Sequence, residues 1–206
     1  MIEDDEDGLI EIRQRIDVFR VFETNRLRLI LLDGFNIRNS LLHVIEKNYK
    51  DDYIKPIYAE RPEHVNFNYS RFNIVRKCRE MRQLEEKCGG SETVYCNFLC
   101  YVITLQDDTI VGACEFYKSR ENSVEVGVFI DFEHAGNGYA GEAIVALIAL
   151  LRAHTDIETV KWDCDTDNAR SVAVARKCGF THHSDYQIYE GRMSSVFHLH
   201  LCLQNF

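Results

Sequence analysis

The sequence predicts a mixed α+β fold: a mostly antiparallel central sheet with one parallel pair and helices on both faces. Three observations predict it. Three strand-like segments joined by short turns run from Phe98 to Ile130, an antiparallel meander. The pattern then changes to strand, helix, strand around the glycine-rich stretch Gly136 to Gly141. A strand–helix–strand unit places its two strands in parallel, so one parallel pair joins an otherwise antiparallel sheet. Helix-like segments also precede the meander, at Asn36 to Tyr49 and from Ser70 to Gly89, and together the helices suffice to cover both faces.

In chain order, residues 1–22 read as an acidic N-terminal extension and 23–206 as a single domain. Arg26 to Leu32 alternates and then turns apolar, as a first strand does, and Asp33-Gly34 ends it. Leu41, Leu42, Val44 and Ile45 group on one side of the first helix. Lys50 to Tyr69 is irregular and holds both prolines, Pro56 and Pro62. Ser70 caps a second helix through Ile74, Cys78, Met81 and Leu84 that stops at Gly89-Gly90. The meander strands are Phe98–Leu105, Thr109–Tyr117 and Val124–Ile130. A strongly apolar helix, Glu142 to His154, is followed by a strand at Thr159–Cys164 and a helix at Asn168–Cys178 ended by Gly179. Final strands fit Ser184–Tyr189 and Val196–Leu203.

Composition narrows the function. Hydrophobic residues make up 46% of the 206, enough for a packed core. A net charge of -9 runs against nucleic-acid binding and suits a cationic partner such as an amine. The first seven residues carry five acids, the wrong sign for a signal peptide. The longest apolar run, Ala143 to Leu151, is far below the roughly 20 residues of a membrane span. The expectation is a cytoplasmic protein with no membrane segment. Its eight cysteines contain no CxxC pair and read as reduced, mostly buried thiols.

Gly136, Gly138 and Gly141 lie between a strand and a helix. Glycines let backbone N–H groups approach an anion, and the helix start adds unpaired donors and a positive dipole end. The stretch is thus a phosphate cradle, with a ligand-free tight turn as the plainer alternative. No lysine follows it, which excludes the Walker loop. Gly136-x-Gly138-x-x-Gly141 satisfies the dinucleotide fingerprint in letters, but follows a meander instead of the first strand of a doubly wound sheet. A dinucleotide-binding enzyme is therefore the third reading.

Glu125-Val126-Gly127-Val128-Phe129-Ile130, followed by Gly136-Asn137-Gly138-Tyr139-Ala140-Gly141-Glu142-Ala143, resembles the core of the GNAT acetyltransferase superfamily. Within it, the similarity is to ribosomal-protein alanine N-acetyltransferases and spermidine acetyltransferases. Glu23 to Leu29 resembles that branch's first strand, and Asn168-Ala169-Arg170-Ser171 with Lys177-Cys178-Gly179-Phe180 its last helix. The match spans residues 23 to about 203. One departure stands out. The superfamily pattern Gln/Arg-x-x-Gly-x-Gly/Ala falls on Ala135, Gly138 and Ala140, so its polar first residue is absent, with His134 or Asn137 as the substitutes.

The resemblance implies an N-acetyltransferase fold whose parallel pair is splayed, and direct acetyl transfer from acetyl-CoA to a primary amine without a metal. The acceptors implied are a protein N-terminus or a polyamine, and a homodimer fits the branch. The pyrophosphate would lie on His134, Gly136, Asn137, Gly138, Tyr139, Ala140 and Gly141. The pantetheine arm would pair with Val128, Phe129 and Ile130, helped by Asn168. Glu125, on the strand face opposite Val124, Val126 and Val128, is the first candidate for general base, with Glu115 second. The plain alternative is an exposed strand carboxylate. Many superfamily members protonate the leaving thiolate with a tyrosine, where this chain has Ala175; the branch resembled points instead to Ser171. Ser171 otherwise makes only a helix-start hydrogen bond, and Asn168 otherwise only caps. A non-catalytic acyl-CoA sensor is the rival class, motivated by Ala135 and Ala175. His198, His200 and Cys202 alternate on one strand face, read as polar surface before metal site.

Overall fold

The computed structural model describes residues 10–12, 20–32, 39–44, 47, 94–96, 98–119, 122–189 and 192–201. A small antiparallel ladder joins β1 (Ile10–Ile12) to β4 (Val94–Cys96). The central sheet is built from β2 (Val21–Glu23), β3 (Leu27–Leu31), β5 (Phe98–Leu105), β6 (Ile110–Lys118), β7 (Ser123–Ile130), β8 (Thr159–Asp165), β9 (Thr181–Tyr189) and β10 (Arg192–His200). Its spatial order is β2-β3-β5-β6-β7-β8-β10-β9, antiparallel except where β7 meets β8.

Alternation sets the two faces. On β3, Leu27, Leu29 and Leu31 are buried while Arg28 and Ile30 are partly exposed. Tyr101, Cys114, Phe116, Val124, Val126, Val160 and Trp162 continue that apolar face. Helix α1 (Tyr139–His154) covers it with Ala143, Ile144, Leu147, Ile148 and Leu151, a stripe at helical spacing. Helix α2 (Ala169–Lys177) adds Ala175, which is fully buried. On the opposite face Leu32, Cys100, Val102 and Ala113 pack against Leu41 and Leu42 from a helical segment at 39–44. Helices therefore lie on both faces, as the sequence predicts.

The parallel ladder is short. It consists of Ser123–Thr159, Val124–Val160 and Glu125–Lys161. Strand β7 stays paired with β6 as far as Ile130, and β8 stays paired with β10 as far as Asp165. Beyond Glu125 and Lys161 each strand follows its outer neighbour, and the two separate. The sheet is splayed at this point.

Several boundaries differ from the sequence reading. The sheet begins at Val21, two residues inside the expected extension. Helix α1 starts at Tyr139, so Gly141 sits in its first turn. The last strand starts at Arg192 instead of Val196, because Ser194 and Ser195 are buried yet polar and break the apolar alternation. Their hydroxyls are satisfied: Ser194 donates to the Cys164 carbonyl at 2.9 Å and Ser195 to Asp185 at 2.7 Å. The Ser70–Gly89 helix, the Lys50–Tyr69 stretch, and Cys78, Cys88 and Cys202 lie outside the described residues. Cys100, Cys114, Cys164 and Cys178 are free thiols, the first two buried.

Gly112 on β6 faces Ile130 and permits a close approach of backbone. A Cβ there would lie 2.0 Å from the Phe129 carbonyl oxygen. Gly112→Ala should therefore push β7 away and cost about 1–3 kcal/mol, as overpacking does. In thermal unfolding that is a drop of roughly 3–10 °C for a chain this size; an unchanged midpoint would show that the strands yield at no cost.

Candidate functional site

After β7 the chain makes one 3-10 turn, Phe132–His134, capped by Asp131, whose carboxylate accepts from the Glu133 N–H at 3.3 Å. Gly136 and Gly138 then both take φ of 81°, in the left-handed region. Gly138 is the N-cap of α1 and brings no side chain to satisfy the helix start. Among the described residues, none of the N–H groups of 136–141 has a hydrogen-bond acceptor, and the first bond of the helix is Glu142 N–H to the Gly138 carbonyl at 3.1 Å. Such a row of donors at a helix N-terminus suits an anion. A Cβ on Gly136 would meet nothing within 4 Å, so the space over the loop is open.

The loop's own side chains are occupied elsewhere. Asn137 donates its amide to the His134 carbonyl at 3.0 Å, bracing the turn. Gly141 meets α2, with the Cys178 thiol 3.8 Å from its carbonyl. A second brace comes from the β2–β3 turn. The Arg26 guanidinium donates to the Asn137 carbonyl at 2.9 Å and to Glu142 at 2.7 Å, and it lies 4.9 Å from the centre of the Tyr139 ring. Sequence reading passed over this pair, since Arg26 and Glu142 are 116 residues apart.

The splay brings together a second group of residues on the opposite sheet face. Glu125 sits between its cross-strand partners Tyr117 and Lys161. Burial pushes its carboxyl above the usual glutamate range and nearby Asp163 and Glu115 add to this, against a Tyr117 hydrogen bond and the Lys161 charge. Glu115, on β6 two residues from Tyr117 and on the same face, is 2% exposed. Asp163 accepts from the Tyr186 phenol at 2.6 Å and also from Ser194. Burial and that bond lift the Tyr186 phenol to about 12. Burial likewise drives the Tyr117 phenol well above its ordinary value. Tyr117, Asp163 and Tyr186 were not among the site residues expected from the sequence; the alternation of Lys161 and Asp163 against Val160 and Trp162 was the signal available for Asp163.

Val128, Phe129 and Ile130 lie beyond the last parallel pair, on the freed part of β7. On the α2 side, Asn168 caps the helix by accepting from the Ser171 N–H at 3.1 Å. The Ser171 hydroxyl accepts from the Trp162 indole at 2.9 Å. Its own proton is left to donate. Ala175 points into the core. His134 is partly buried in its turn. His198 stacks on His183 with ring centres 3.9 Å apart and meets His200 at 6.1 Å. Among the described residues no group of three or more His, Cys, Asp or Glu side chains is arranged to hold a metal.

A strand, an uncapped glycine loop and a helix beside a splayed parallel pair define an acyltransferase architecture of the acyl-CoA type. Residues 47–181 match the family model described as the acetyltransferase (GNAT) domain, and the chain belongs to that family. It is 24% identical over 148 residues to an uncharacterized N-acetyltransferase, p20, of Bacillus licheniformis, a match covering 68% of this chain and 80% of the relative. In fold it is similar to RimL, a ribosomal L7/L12 α-N-protein acetyltransferase solved with coenzyme A, at a TM-score of 0.68 and 16% identity. That match covers 88% of this chain and 98% of the other. A ribosomal-protein-S5-alanine acetyltransferase from Vibrio fischeri gives a TM-score of 0.67 at 12% identity, covering 88% and 96%.

The raised Glu125 carboxyl has a consequence for stability. A carboxyl whose folded value lies above its unfolded one favours the fold while protonated, and that contribution is lost as pH rises through the folded value. Glu125→Gln removes the ionisation. The variant should gain on the wild type in melting temperature as pH goes from 4 to 8; a flat or falling difference would mean the carboxylate is well accommodated when charged.

Proposed function

We propose that this acetyltransferase moves an acetyl group from acetyl-CoA to a primary amine, with a protein N-terminus, a polyamine or another small amine as acceptor. The observation that carries the reading is one juxtaposition. The unsatisfied N–H groups of 136–141 and the freed edge of β7 lead to the same splay, at whose paired end Glu125 stands. The donor row fits the pyrophosphate of CoA. The edge at Val128 to Ile130 fits an extended pantetheine arm, which would add to the sheet as a strand does. The solved relative carrying CoA supports the same ligand class.

In this reading Glu125 takes a proton from the acceptor ammonium, directly or through water. The free amine attacks the thioester carbonyl carbon, and a strand N–H at Val128 to Ile130 donates to the oxygen as charge builds there. Such a donor contributes roughly 3 kcal/mol to the transition state. The C–S bond then breaks; the Ser171 hydroxyl, already held by Trp162, donates its proton to the sulfur and is reprotonated by the second proton that the nitrogen sheds as the amide forms. Burial suits Glu125 to this task, since a base works best with a value near the operating pH. The acidic surroundings of Glu115, Glu125 and Asp163 favour a cationic acceptor.

Thiol release from acetyl-CoA, measured with a panel of peptides, polyamines and amino sugars, tests the reading. Turnover with at least one primary amine is expected. CoA binding without turnover on any amine would turn the account to a sensor, and no CoA binding would end both. Glu125→Gln should lower kcat about 100-fold or more while CoA affinity is kept. For the wild type, the rate should rise with pH through a value above that of ordinary glutamate, since the base acts ionised. Gly138→Val should abolish CoA binding, because a β-branched residue does not tolerate a φ of 81°; retained affinity would remove the loop from the site.

A further inference from the structure

We infer that Arg26 is a positioning residue of the phosphate loop, holding the Asn137 carbonyl so that the neighbouring amides stay aimed at a bound pyrophosphate. This rests on the reading of the loop just given. Residues 135–141 contain no lysine or arginine. Two of them, Gly136 and Gly138, are in the left-handed region, where glycine has many alternatives to lose. A loop built this way binds weakly unless something orders it beforehand, because ordering is otherwise charged against affinity.

Arg26 supplies that order from another part of the chain. Its Nη1 donates to the Asn137 carbonyl at 2.9 Å. A trans peptide is planar, so its C=O and the following N–H point in opposite directions. Fixing the Asn137 oxygen toward Arg26 therefore turns the Gly138 N–H away from it. The guanidinium also lies 4.9 Å from the centre of the Tyr139 ring, gripping the residue after Gly138. Arg26 is itself held. Glu142 accepts from its Nε at 2.7 Å, its Nη2 at 2.6 Å and its backbone N–H at 3.1 Å. Glu142 in turn accepts from the Thr24 hydroxyl at 2.5 Å and stands in the first turn of α1, where the helix dipole favours a negative charge.

The geometry separates this role from general support. The Arg26 side chain is 50% exposed, and an ion pair so exposed adds little to folding stability. Its effect should fall on the phosphate end of the ligand. The chain has one tryptophan, Trp162, which bonds Ser171 at the splay and so reports ligand entry by fluorescence. Arg26→Ala, Arg26→Lys and Glu142→Gln are titrated with CoA and with pantetheine, which has no phosphate. Arg26→Ala should weaken CoA about 10- to 100-fold, the range for a lost charge-assisted bond, and leave pantetheine unchanged. Arg26→Lys should not restore CoA affinity, since an ammonium lacks the planar fork. Glu142→Gln should weaken CoA alone, by a smaller factor. KM for acetyl-CoA should rise with the dissociation constant while kcat stays within about threefold, as for lost uniform binding. Wild-type affinity for CoA in Arg26→Ala, or equal losses for both ligands, would overturn the assignment. A wild type that binds pantetheine but not CoA would overturn it together with the phosphate reading of the loop.

Discussion

The break in the parallel ladder after Glu125–Lys161 governs the rest of the molecule. Strands β7 and β8 are each held along their full length by an antiparallel neighbour, and only three residue pairs hold them to each other. An open strand edge in the middle of a sheet is otherwise a liability, since its backbone groups invite pairing. Here the opening lies where the chain leaves β7 for the glycine loop and where β8 runs on toward α2. Loop, freed edge and the Asn168–Ser171 turn are thereby gathered around one cleft.

The cleft connects two chemically different faces. On the side of α1 and α2 are neutral donors: the loop amides, the Ser171 hydroxyl and the Trp162 indole. On the other side stand Glu115, Glu125 and Asp163, with Lys161 as the opposing charge and two phenols as hydrogen-bond donors. A phosphate-bearing donor and a cationic acceptor would each find its complement on a separate side and meet at the opening. Burial, with the neighbouring carboxylates adding to it, raises the Glu125 carboxyl, which destabilises the folded state slightly at neutral pH.

What could be read in advance follows from what is local. The meander and the apolar helix Glu142–His154 show because their periodicities are intact over many residues. The loop shows because glycines must sit where a backbone takes positive φ, and two of the three do. The third, Gly141, serves helix packing against Cys178 instead. Arg26 and Glu142 were hidden because neither residue is unusual in its own segment, and only the fold brings them together. Ser194 and Ser195 obscured the start of the last strand because burial of a hydroxyl is legible only once its acceptor is known. The splay itself is encoded by register, which strand lengths do not reveal; it entered the sequence reading by resemblance alone.

The most direct test of this account is a backbone amide chemical-shift titration of the protein with acetyl-CoA. The largest changes are expected at 136–141 and at 126–130, with smaller ones at Asn168 and Ser171 and little at 181–189 on the far edge of the sheet. Saturable binding whose shifts avoid both the glycine loop and the freed edge of β7 would contradict it.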